Sequence, residues 1–237
     1  MSSRPWSSAQ SGSLRHCFAA AFLLAAAPAF AQLEQITSRE AVSGLKAALE
    51  KGSQAAVAAL GRVDGFFANP QVKIPLPESM QRGERLMRRV GMGRYADELI
   101  LTLNRAAEAA VPEARQLLLD SVKKMTVKDA KGILTGGDTA ATEYFRRTTQ
   151  DALRKRFRPI VAGATARVEL AAKYNEYAET AAALGLLKEE DANLDAYVTQ
   201  KALDGLFFMV AEEEKKIRKD PLAAGTSIIK KVFGALL

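Results

Sequence analysis

From about residue 37 onward, apolar positions recur every three or four residues, the spacing that gathers them on one face of an α-helix. No run reads as a sheet strand. Thr37-Ser38-Arg39-Glu40 has the form of a capping box, with a hydroxyl followed three residues later by Glu. Val42, Leu45, Leu49, Val57 and Leu60 then share a face until Gly61. Asp64-Gly65 reads as a turn, and three prolines between Asn69 and Pro77 exclude helix and favour an extended crossing segment. Val72, Ile74 and Leu76 alternate there, so one side of that segment is expected on the core.

Further helices are predicted over Glu78 to Val90, stopped by Gly91 and Gly93, over Arg94 to Ala110, and from Pro112 to Met125. Thr126 to Asp129 opens a short helix ending at Gly136-Gly137, and Asp138 or Thr139 caps a sixth through Phe157. Pro159 is expected to start a seventh, reaching Leu184. Gly185 to Asn193 reads as a loop, Leu194 to Lys219 as an eighth helix, and Ile228 to Leu237 as a short amphipathic piece beyond Pro221 and Gly225. The eighth carries Ala202, Leu203, Leu206, Phe207, Phe208, Met209, Val210 and Ala211, which point all round the axis, so it should be the buried central helix. Gly205 would let a neighbour approach it closely. The predicted fold is all-α: a compact, single-domain bundle of about eight helices.

The first 31 residues alter this picture. Arg4 and Arg15 precede an apolar run from Cys17 to Ala27, and Ala29-Phe30-Ala31 supplies a small-x-small cleavage pattern after Pro28. The run has 11 residues, against about 20 for a membrane-spanning helix. We therefore expect a signal peptide cleaved after Ala31, a periplasmic product of residues 32–237, and no transmembrane segment after cleavage. The only Cys (Cys17), His (His16) and Trp (Trp6) leave with the leader. Residues 32–237 thus have no imidazole base, no thiol nucleophile and no Cys/His zinc site. Neither a cofactor nor a metal is expected, and any catalysis would rest on carboxylates, Lys, Tyr or Ser/Thr.

Three sets of residues could carry function. On the eighth helix Lys201 and Asp204 share a face with Tyr197 inside the apolar zone. They would form either a pocket-lining pair or an internal ion pair, and we favour the second. Thr135-Gly136-Gly137-Asp138-Thr139 is a glycine-rich turn before a helix start, a form that can hold an anion. Asp138 would repel an anion, so helix caps are the simpler reading, and the P-loop lysine is missing. Arg82, Arg85 and Arg89 lie on one helical face, with Arg146, Arg147 and Arg154 on another helix. The net charge of +7 makes these faces candidates for an envelope protein or an anionic lipid surface. Nucleic acid is disfavoured, because no aromatic residues interleave the arginines. Glu212–Lys216 and Glu214–Arg218 read as ordinary i,i+4 pairs.

Three stretches, Val72 to Pro77, Ile133 to Arg146 and Tyr197 to Pro221, together resemble a bacterial family of exported helical proteins known as domain of unknown function 4197. The resemblance runs from about Gly44 to Phe233 and implies a Gram-negative envelope protein with no activity, cofactor or catalytic residue to carry over. Function is therefore unknown from sequence. The preferred reading is a non-enzymatic periplasmic binding or interaction protein. The alternative is a carboxylate-dependent hydrolase of an envelope substrate using acids among Asp138, Glu143, Asp204 and Glu212.

Overall fold

The computed structural model describes residues 38–175, 184 and 193–220. The expected leader and its cleavage site, Thr37, residues 176–183 of the expected seventh helix, most of the 185–193 loop and the Ile228–Leu237 piece lie outside the described residues. Those described form α1 (Ser38–Leu60), α2 (Glu78–Arg89), α3 (Gly93–Ala110), a 3-10 turn (Val111–Glu113), α4 (Ala114–Lys124), α5 (Val127–Leu134) and α6 (Ala140–Thr165). Residues 169–175 are helical, and α7 spans Leu194–Lys219. Among the described residues every regular element is a helix, so the fold is all-α, as the spacing predicts.

Local chemistry places several of these ends. Thr126 Oγ1 accepts from Asp129 N, and Asp129 Oδ2 accepts from Thr126 N, a complete capping box at the start of α5. The Thr126 hydroxyl and backbone N–H hold the Asp129 carboxyl below its ordinary pKa. Gly91 ends α2 with φ 79, while Met92 N bonds Met87 O and Gly91 N bonds Arg88 O. This is the Schellman arrangement, and it needs a residue at ease with positive φ. It turns the chain back so that α2 and α3 form a helical hairpin.

One helix boundary departs from the sequence reading. Pro159 does not start a helix; α6 runs through it to Thr165 and breaks over residues 166–168. A proline inside a helix costs about 3 kcal/mol. Here Lys155, whose carbonyl loses its partner, and Pro159 itself are both exposed, so water can serve that carbonyl. Leu153, Phe157 and Val161, all fully buried, keep both sides of the proline on the core.

α7 packs against α1, α3 and α6 and is the centre of the bundle. Its packed side carries Val198, Ala202, Leu203, Leu206, Phe207 and Val210. It is not buried all round: Phe208 and Met209 are half-buried and Lys201 is exposed. The segment between α1 and α2 straps across this core. Val72, Ile74 and Leu76 are buried while Lys73 and Pro75 are exposed, as their alternation requires.

The neighbour at Gly205 is the strap and not a helix. A Cβ at Gly205 would lie 2.6 Å from Cε1 of the fully buried Phe66 ring. Gly205→Val should therefore lower stability by about 2–3 kcal/mol through overpacking, read by urea denaturation. Ala should cost less, because leaving Gly in a helix recovers about 1 kcal/mol. A Val variant within about 0.5 kcal/mol of the wild type, the usual range of surface changes, would show that the contact is not tight.

Candidate functional site

The face shared by Tyr197, Lys201 and Asp204 is the side of α7 that solvent reaches. Tyr197 donates its hydroxyl to Pro75 O at 3.1 Å. Lys201 is exposed with Nζ 5.6 Å from the Tyr197 ring centroid. Asp204 is half-buried and accepts from Gln200 Nε2 at 2.9 Å. The expected internal Lys201–Asp204 ion pair is not formed. Burying an ammonium is costly, and α7 avoids that cost by rotating this stripe outward while Val198, Ala202 and Leu206 face in.

The glycine-rich turn resolves differently. Thr135, Gly136, Gly137, Asp138 and Thr139 are all exposed. Thr135 Oγ1 donates back to Lys131 O, and Thr139, at the N-cap of α6, makes no side-chain cap bond. Thr139 holds the N-cap position of α6, as one of the two expected residues, but no side-chain bond from it caps the helix. Its first free N–H groups go to Glu214, 7% exposed, on α7. Ala141 N donates to Oε1 at 3.0 Å, and Thr142 N and Thr142 Oγ1 donate to Oε2 at 2.9 Å each. Arg218 closes the arrangement: Nη2 donates to Glu214 Oε1 at 2.8 Å and to Ile133 O at 2.9 Å. A carboxylate thus meets the positive start of α6 and a guanidinium meets the negative end of α5, each in the sense the helix dipoles favour. The anion position of this motif is filled by the protein's own side chain. The adjoining cavity is only ≈ 10 Å³, at the limit for a single water.

Sequence reading missed Glu214 because its charge pattern is that of an ordinary exposed pair. Its neighbours form surface pairs, though not the expected Glu212–Lys216: Glu212 holds Lys215 at 2.9 Å and Glu213 holds Lys216 at 2.7 Å, each at i,i+3. It also missed two polar residues of α3 that hold the strap. Asn104, fully buried, accepts from Ile74 N at 2.8 Å and donates to Ile74 O at 2.9 Å and to Ile100 O at 2.7 Å. Glu108 Oε1 accepts from Phe66 N and Phe67 N, while Arg105 spans Glu108 and Asp64 at 2.6 and 2.7 Å. A polar residue among apolar ones at helical spacing, as in Leu99-x3-Leu103-Asn104-x-Ala106-Ala107-Glu108, was the available signal.

Three of the acids weighed for hydrolysis are held by side chains of their own helix. Glu143 lies 3.9 Å from Arg146, and Asp204 is bonded to Gln200. Glu212 holds Lys215, raising the pKa of that ammonium, with Asp138 adding a smaller effect. The described residues contain no group of three His, Cys, Asp or Glu placed to hold a metal. One open groove of ≈ 400 Å³ is lined by Arg39, Val42, Ser43, Lys46 and Val127, with no acid among them.

The two basic faces separate clearly. On α6, Arg146 stacks 4.6 Å from the Phe207 ring centroid. Arg147 lies 3.6 Å from Asp129, and Arg154 bonds Gln200 at 2.9 Å. These arginines are engaged within the fold. On α2, Arg82, Arg85 and Arg89 are exposed and have no partner among the described residues. Arg88 alone is clamped, to Glu84 at 2.9 Å and Asp97 at 2.6 Å, and its guanidinium holds the Asp97 carboxyl below its usual range.

α2 is unusual in a second way: none of its residues is buried. It packs against α3, and Ser79 in its first turn shares a hydrogen bond with the Tyr174 hydroxyl of the 169–175 helix at 2.8 Å. Leu86 is 61% exposed, Val90 62%, Met92 48% and Tyr95 41%. These are four of the eight exposed large hydrophobics among the described residues, within ten positions of one hairpin tip. Scattered exposed apolar residues need no explanation, whereas a cluster does.

No helix among the described residues is long and apolar enough to cross a membrane. No curated protein and no solved structure matches the chain. The strap, the glycine-rich junction stapled by Glu214 and the central helix all fall within residues 35–234, which match the family described as Protein of unknown function (DUF4197), and the chain belongs to that family.

Proposed function

We propose that this protein is a non-enzymatic binding protein of the bacterial periplasm that docks through the tip of the α2–α3 hairpin. One observation carries the reading: α2 buries none of its residues, yet sets exposed Leu86 and Val90 beside three arginines that have no partner among the described residues. A helix in a folded domain ordinarily gains stability by burying an apolar face. Here the apolar arc is wider than α3 covers. Met80 and Met87 are partly buried, and Leu86 and Val90 continue the arc into solvent. The rest of the chain supplies a rigid base: Asn104 pins Ile74, Tyr197 bonds Pro75 O, and Leu76 and Pro77 are buried just before α2 begins. The leader read from residues 1–31 supports export.

The test is a photoreactive side chain placed in living cells at Leu86, with Val63, 73% exposed on the strap, as the control. Crosslinks to envelope material at position 86 are expected, falling strongly when Arg82, Arg85 and Arg89 are changed to Ala. A yield at position 86 no higher than at Val63 would overturn the reading.

A further inference from the structure

Resting on that docking reading, we infer that the occupant of the α2 face is the surface of an anionic phospholipid bilayer. Arg82, Arg85 and Arg89 follow one another at i, i+3 and i+7, so they line one face over about 10 Å of axis at 1.5 Å per residue. Guanidinium groups match phosphate oxygens in a bidentate fork and desolvate more readily than ammonium groups. Leu86 and Val90 sit one helical step round from this row and Met92 follows at the turn, all three exposed. A row of cations with an apolar edge along one side is the pattern of a helix lying in a membrane interface. Its arginines meet head groups while its apolar edge reaches the acyl boundary.

The local charge supports the same partner. Arg88 neutralises Glu84 and Asp97. Arg94 stacks 4.8 Å from the Tyr95 ring centroid and bonds its hydroxyl, leaving an amphipathic residue at the tip. Glu78 shares the outer face at the far end of the helix, and Glu98 lies near Arg94. The surface is also the exposed end of a helical hairpin, with Val90, Met92 and Tyr95 open to solvent. It suits a soft partner that closes around it.

The experiment uses the full-length protein expressed with its own leader, and vesicles of equal phosphatidylglycerol and phosphatidylcholine against vesicles of phosphatidylcholine alone. The wild type should bind the anionic vesicles at least tenfold more tightly. Binding should weaken about fivefold for each of Arg82, Arg85 and Arg89 changed to Ala, because each cation near an anionic surface adds about that factor. Added salt should weaken binding as well. Trp6 is the only tryptophan and lies within the predicted leader. A Leu86→Trp variant should therefore shift its emission to the blue on anionic vesicles, while Val63→Trp should not. All these side chains are exposed, so the variants should keep the fold, which circular dichroism checks. Equal binding to both vesicle types overturns the inference, as does an unshifted Leu86→Trp spectrum. If the vesicles fail but crosslinks from position 86 persist on an acidic protein or on a second copy of this chain, the docking reading stands and the lipid inference falls.

Discussion

Replacing Glu214 by Ala is expected to lower the stability of the protein by about 3–5 kcal/mol, the usual cost of removing one partner from a buried charge pair. Three donors lose their acceptor at once: Ala141 N, Thr142 N and the Thr142 hydroxyl. All three are held at buried contacts, and each buried donor left without a partner costs about 1–3 kcal/mol. Arg218, whose side chain is 15% exposed, loses its counter-charge while still tied to Ile133 O. With total stabilities of about 5–15 kcal/mol typical of domains, this is a large fraction. Glu214→Gln should be milder, since a carboxamide oxygen can still accept at the start of α6. Urea denaturation of the two variants gives the comparison, and amide exchange at Ala141 and Thr142 should quicken in the Ala variant. A loss under about 1 kcal/mol, no more than an ordinary exposed N-cap contributes, would mean that water replaces the carboxylate at this junction.

Asn104→Leu should cost about 3 kcal/mol, since it orphans two buried backbone groups, each worth about 1–3 kcal/mol, while changing volume little. The Ile74 N–H and C=O stand where a neighbouring strand would pair with them, and the carboxamide supplies both bonds. The strap has no sheet partner, so this one side chain does the work of a ladder rung. The effect should be local as well as global. The Ile74 amide should exchange rapidly in the variant, whereas Phe66 and Phe67, which donate to Glu108, should remain protected. An Ile74 amide as protected as in the wild type would show that the strap is held by apolar packing alone. The strap leads directly into α2, so the same variant should also loosen the base from which the hairpin tip projects.

These two residues show how the candidate site depends on the fold. The features of α2 that matter for docking are local. Arg82, Arg85 and Arg89 share a face because of their spacing, and Gly91 ends the helix because it accepts φ 79. That Arg82, Arg85 and Arg89 have no partner among the described residues while the α6 arginines are engaged is not local at all. It follows from where Phe207, Asp129 and Gln200 come to lie once α7 and α5 pack against α6.

The sequence by itself determined the all-α class, most of the described helices, the start of α5 at Thr126, the stop at Gly91 and the buried side of Val72, Ile74 and Leu76. Each is governed by neighbours within about four positions or by a period of two, and both are visible along the chain. Only the tertiary structure decided that α6 passes through Pro159, that α7 turns Lys201 and Asp204 to solvent, and that Glu214 caps a helix starting more than seventy residues earlier. The cost of a proline, the burial of a charge and the partner of a helix end depend on which surfaces meet after folding. A row of residues does not contain that information until the helices have packed.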